Sequence, residues 1–79
     1  MAVIRLFAQA REAAGTGSTT IDAPTVAAVL DEAVAKWGEG FAAVLAGCKV
    51  WVNGEEVPLA TAVGDKDEVA VLPPVSGGS

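Results

Sequence analysis

The side chains that usually carry acid–base or covalent chemistry are nearly absent from this chain. It has no histidine and a single cysteine, Cys48, so no Ser–His or Cys–His pair is available to activate a nucleophile. One cysteine also excludes an intrachain disulfide, a cysteine-based zinc site and an iron–sulfur cluster held by this chain alone. Nothing beside Cys48 would lower its pKa, since Lys49 would point to the opposite face of a strand. The thiol therefore reads as a buried or half-buried strand residue. Gly15-Thr16-Gly17-Ser18 lacks the spacing and the lysine of a phosphate-binding loop, and Gly38-Glu39-Gly40 is not a dinucleotide fingerprint. Asp65, Asp67 and Glu68 could attract a cation. Without calcium-loop spacing they read as a solvated turn, and no metal site is expected.

What remains is the end of the chain, Leu72-Pro73-Pro74-Val75-Ser76-Gly77-Gly78-Ser79. The strand-like run Glu68 to Leu72 stops at two prolines, which lack the N–H that a sheet ladder needs and fix φ. Pro73 and Pro74 favour an extended segment leading away from the body. Gly77 and Gly78 have no Cβ, so this backbone is slim enough for a narrow cleft. Pro73 to Gly78 would reach roughly 20 Å at about 3.3 Å per residue. With no side-chain apparatus elsewhere, the candidate reactive group is the terminal carboxyl. The plainer reading is a frayed terminus or an appended Gly-Gly-Ser linker.

The elements that would present this tail follow in order. Ala2 to Ala8 reads as a strand with Ile4 and Leu6 toward the core, because Arg5 on the other face is not expected to be buried unpaired. Phe7 then falls on the outer face. Gln9 to Ala14 ends at Gly15 as a turn or helix stop, and Thr16 to Ile21 suits a second strand. Thr25 is a candidate N-cap for a helix in which Val26, Val29, Leu30, Ala33 and Trp37 share one face, with Gly38 as its stop. Trp37 reads as core packing. Phe41 to Leu45 reads as a short helical turn, and Cys48 to Val52 as a strand. Asn53-Gly54 is a strong hairpin signal, returning through Glu55-Glu56-Val57. Leu59 to Gly64 reads as a loop before the final strand. This β-β-α-β-β-β order predicts an α+β fold of the β-grasp type. A mixed sheet of about five strands packs on one main helix, with the first and last strands parallel at its centre. Val69 and Val71 would face the helix, while Phe7 and Leu72 would form an outer apolar patch beside the tail. The expected division is a body over residues 1–72 and an extended, flexible tail over residues 73–79.

The totals fit one small domain. The 79 residues are 52% hydrophobic and 19% charged, which is a globular and not a disordered composition. The net charge of −5 argues against nucleic acid and anionic membrane surfaces as partners and for proteins with basic docking faces. With no secretory signal and no apolar run of membrane-spanning length, a cytoplasmic location is the default expectation.

Four stretches, Phe7-Ala8-Gln9-Ala10-Arg11-Glu12-Ala13-Ala14-Gly15-Thr16, Val52-Asn53-Gly54, Gly64-Asp65-Lys66-Asp67-Glu68-Val69 and Leu72-Pro73-Pro74-Val75-Ser76-Gly77-Gly78, together resemble the small subunit of molybdopterin synthase. That subunit is one of the MoaD/ThiS ubiquitin-like sulfur carriers. The resemblance covers nearly the whole chain in order and length. It implies that Gly78 is adenylated by an ATP-dependent, ubiquitin-activating-type adenylyltransferase and converted to a thiocarboxylate with sulfur from a sulfurtransferase or cysteine desulfurase. It further implies that Pro73, Pro74, Val75, Ser76 and Gly77 thread the large synthase subunit, where sulfur passes to cyclic pyranopterin monophosphate. Phe7 and Leu72 would dock that partner, with Arg11 at the rim, and the assembly would be a heterotetramer with two large subunits. No cofactor would be held permanently; ATP belongs to the activating enzyme. Such a chain is not an enzyme by itself but the sulfur-donating part of one.

Ser79 departs from the pattern, because the second glycine normally ends the chain. Either Ser79 is removed by a protease before activation at Gly78, or it is an addition to the natural sequence, or this member is not a competent carrier. Carriers for thiamine or cysteine synthesis share the Gly-Gly end, although the Phe-Ala-Gln-x-Arg-Glu stretch favours the molybdopterin branch. A ubiquitin-like modifier joined to lysines would also use Gly78. A non-catalytic interaction module would use the sheet surface without the tail.

Overall fold

The computed structural model describes residues 1–73. Strand β1 (Ala2–Leu6) buries Ala2, Ile4 and Leu6 and leaves Arg5 exposed. The alternation places the core on the Ile4/Leu6 side, as the uncompensated cost of burying Arg5 requires. The strand stops two residues short of the expected Ala2 to Ala8. Phe7 becomes the extended N-cap of α1 (Ala8–Ala14), and Ala8 takes φ 50. A positive φ is incompatible with a continuing strand, so the chain turns out of the sheet there. Helix α1 ends at Gly15, whose N–H donates to the Arg11 carbonyl at 2.9 Å, and β2 (Ser18–Ile21) then runs back along β1.

Helix α2 (Val26–Trp37) begins at Thr25, whose hydroxyl accepts from the Ala28 N–H at 3.1 Å. This satisfies one of the orphan donors of a helix start. Two more are met from a distant loop. The Val26 N–H donates to the Thr61 carbonyl at 3.0 Å and the Ala27 N–H to the Leu59 carbonyl at 2.8 Å. Val26, Val29, Leu30 and Ala33 make the buried stripe, while Asp31, Glu32 and Lys36 face solvent. Gly38 closes the helix with φ 86 and ψ −169, a conformation open in practice only to glycine. The same residue starts α3 (Glu39–Leu45).

Helix α3 is more than the expected turn. Its Phe41 is 0% exposed, among the largest fully buried side chains, and meets the Trp37 ring edge-on with centroids 4.9 Å apart. Trp37 is therefore half-buried core packing, as its helical spacing indicated.

Strands β3 (Lys49–Val52) and β4 (Glu55–Glu56) form the expected hairpin. Asn53 and Gly54 sit at φ 51 and φ 86, the two positive values that a type I′ turn demands. Strand β5 (Glu68–Leu72) completes a sheet of order β2-β1-β5-β3-β4. Strand β5 lies at the centre, parallel to β1 and antiparallel to β3. Ile4 stands beside Val69 and Leu6 beside Val71, and both valines are 0% exposed beneath the helices. This is the β-grasp arrangement anticipated from the order of elements. Among the described residues, no helix is long and apolar enough to cross a membrane.

Candidate functional site: the outer sheet face at the end of β5

Strand alternation that sends Val69 and Val71 inward sends Glu68, Ala70 and Leu72 to the other face of the sheet. In β3, Val50 and Val52 point inward, so Lys49 and Trp51 point outward. The register places Lys49 beside Leu72 and Trp51 beside Ala70, with Arg5 of β1 on the far side of Ala70. Phe7 and Leu72 each follow the paired residues Leu6 and Val71 and so come level at the same end of the sheet. Phe7 is 43% exposed and Trp51 37%, against a half-buried Leu72. The expected Phe7/Leu72 face therefore exists, and Trp51 enlarges it. Its outward position was available from the Val50/Val52 alternation, but the sequence reading assigned Trp51 no role.

Charges on this face are matched locally. Arg5 reaches Glu68 at 3.3 Å and Lys49 approaches Glu56 at 3.8 Å, all four side chains being well exposed. Such pairs contribute little to stability. Arg11 is exposed on α1, its side chain lying over Gly17, where an added Cβ would come within 3.4 Å of Nε. Pro73 follows Leu72 half-buried. Pro74, Val75, Ser76, Gly77, Gly78 and Ser79, which carry the expected tail chemistry, lie outside the described residues.

A polar clasp holds the opposite end of β5. The Asn53 side-chain amide donates to Asp67 at 2.9 Å and its carbonyl oxygen accepts from the Glu68 N–H at 2.9 Å. Asp67 also accepts from the Gly64 N–H at 2.8 Å. The Asn53 donor, and then the Gly64 N–H, hold the Asp67 carboxyl below its ordinary pKa. Asp65 is lowered as well, by the hydrogen bond and charge of the N-terminal ammonium paired with it. The acidic turn thus stitches the NG hairpin and the chain start to the central strand. Among the described residues, no group of three or more metal-ligating side chains comes together. Cys48 is half-buried and donates its S–H to the Val44 carbonyl at 3.2 Å, and burial pushes its pKa up. With its S–H given to a carbonyl and burial opposing the thiolate, it is placed as a packing residue.

The model of the ThiS family matches residues 4–78. Among curated protein sequences none matches. Of solved structures, SAMP1 from Haloferax volcanii superposes with a TM-score of 0.81 at 31% identity, covering 98% of each chain. A chain from the protein–protein complex of subunits 1 and 2 of the molybdopterin-converting factor from Helicobacter pylori gives 0.73 at 26%, covering 98% of this chain and 97% of that one. One from the BexX/CysO complex of Amycolatopsis orientalis gives 0.83 at 24%, covering 99% and 100%, a likeness of fold alone. The sheet order, the outer face beside the end of β5 and a family match running through Gly78 lead to one conclusion: the chain belongs to the ThiS family of ubiquitin-like sulfur carriers.

Proposed function

We propose that the chain is the sulfur-donating small subunit of a molybdopterin synthase. In this reading the Gly78 carboxylate attacks the α-phosphate of ATP in an adenylating enzyme and releases pyrophosphate. A persulfide sulfur from a sulfurtransferase or cysteine desulfurase then displaces AMP, and reduction by a thiol leaves the Gly78 thiocarboxylate. This group is a soft nucleophile, anionic near neutral pH. The tail Pro73 to Gly78 enters the large subunit, where the sulfur passes to cyclic pyranopterin monophosphate. Two glycines suit a channel in which any Cβ would clash. The chain carries no permanent cofactor, works in the cytoplasm where ATP is available, and assembles as a heterotetramer with two large subunits. Phe7 and Leu72 dock the partner and Arg11 contacts its rim.

The observation that carries this reading is the family match through Gly78 on a chain without any other reactive apparatus. The Phe7-to-Thr16 motif and the likeness to a subunit of the Helicobacter pylori complex support the molybdopterin branch. Reconstitution tests it. The thiocarboxylated chain ending at Gly78, mixed with the large subunit and cyclic pyranopterin monophosphate, should yield molybdopterin, and replacement of Gly77 and Gly78 by alanine should abolish the yield. No product from the thiocarboxylated chain ending at Gly78 would exclude this branch. The likeness to SAMP1, a small archaeal modifier protein, favours a second reading, attachment of Gly78 to lysines of other proteins. Isopeptide-linked bands of high mass in cells would select it.

A further inference from the structure

The two tryptophans are used in opposite ways. Trp37 lies against Phe41 within the fold, whereas Trp51 stands on the open face of β3 at 37% exposure. Its cross-strand neighbour toward the sheet centre is Ala70, whose methyl group covers little of an indole. Large aromatics left on a surface and buried on association supply a disproportionate share of binding energy.

The covalent chain limits what can lie over that indole. Lys49 is level with Leu72, so Trp51 is two residues along the same strand face, about 7 Å away. Gly78 is five residues beyond Pro73 and can be no farther than about 17 Å from it. A protein that engages Gly78 must therefore approach the Leu72 end of the sheet. A standard interface of about 800 Å² per partner, roughly 16 Å in radius, centred there would cover Trp51. The charged neighbours Arg5, Glu68, Lys49 and Glu56 are already paired with each other. A chain with net charge −5 thus offers a locally neutral, aromatic face at this point.

We propose that Trp51 is a specificity-determining anchor for the protein that accepts sulfur from Gly78, the large synthase subunit, which presents an apolar recess to the indole. This rests on the function proposed above. The test is the affinity of the full chain for the large subunit of the same organism, measured for wild type, Trp51→Thr, Trp51→Phe and Phe7→Ala, with thermal melts confirming that each variant folds. Threonine retains strand preference, so Trp51→Thr should fold and bind at least about tenfold more weakly, while Trp51→Phe should stay within about threefold of wild type. Raising the salt from 0.05 to 0.5 M should change the wild-type affinity by less than about threefold, because the flanking charges are satisfied internally. Unchanged affinity in Trp51→Thr alongside weakened Phe7→Ala would overturn the role of Trp51 and leave the proposed function standing. Failure of the wild-type chain to bind the large subunit would overturn that function, and this inference with it.

Discussion

The two faces of the central sheet obey different rules. On the inner face of the central strands β1 and β5, Ile4, Leu6, Val69 and Val71 join buried residues of α1, α2 and α3 in one apolar core. On the outer face of the sheet, Arg5, Lys49, Trp51, Ala70 and Leu72 mix charge, aromatic surface and small side chains, and none is fully buried. Close packing makes the inner face intolerant of any change in volume. The outer face, with its exposed ion pairs and half-buried side chains, contributes less to folding. Strand β5 belongs to both, with Val69 and Val71 fully buried on one side and Ala70 and Leu72 half-buried on the other. A carrier of this size needs that division, because a small core has no stability to spare for a built-in active site.

The contrast is broken most severely from inside. Phe41→Ala removes a fully buried ring, at a cost of about 3–5 kcal/mol. That approaches the whole stability of a small domain, about 5–15 kcal/mol. A chemical denaturation curve should show most of the transition lost. The clasp at the start of β5 should respond next, and to acid. Asp65 and Asp67 titrate below the ordinary 3.8 in the folded chain, so the unfolded chain binds protons more readily. Their contribution is complete above about pH 4 and is lost as pH falls through the lowered folded values. Melting temperatures between pH 6 and 2 should therefore decline on the acid side. Asn53→Gly keeps the positive φ but removes the main partner of Asp67, and should flatten that decline. The smallest effect on stability belongs to the outer face. Phe7→Ala should shift the unfolding free energy by no more than about 0.5 kcal/mol while impairing partner binding.

Much of the framework could be read from residue patterns, because strong local signals coincided with it. Thr25 and Gly38 bracket α2, Asn53-Gly54 forces the hairpin, and the Val69/Val71 alternation fixes which side of β5 is buried. Phe41 was harder to place. Helix α3 spans only seven residues between glycine-rich flanks, too short for periodicity to identify a buried side. The carbonyls of Leu59 and Thr61 that complete the start of α2, and the Asn53–Asp67 clasp, join distant parts of the chain and leave no local mark. Trp51 did leave one. Flanked by two inward valines, it had to face outward. The tail could be assessed from composition alone, since its last six residues, 74–79, lie outside the described structure.

Gly78 is the proposed sulfur-bearing end of this carrier. Mass spectrometry of two forms of the chain, ending at Gly78 or at Ser79, after incubation with the adenylating enzyme, ATP and a persulfide source, tests it directly. Conversion of a carboxylate oxygen to sulfur, a gain of about 16 Da, should occur in the form ending at Gly78 and not in the form ending at Ser79. A thiocarboxylate on the 79-residue form, or none on either, would contradict the account.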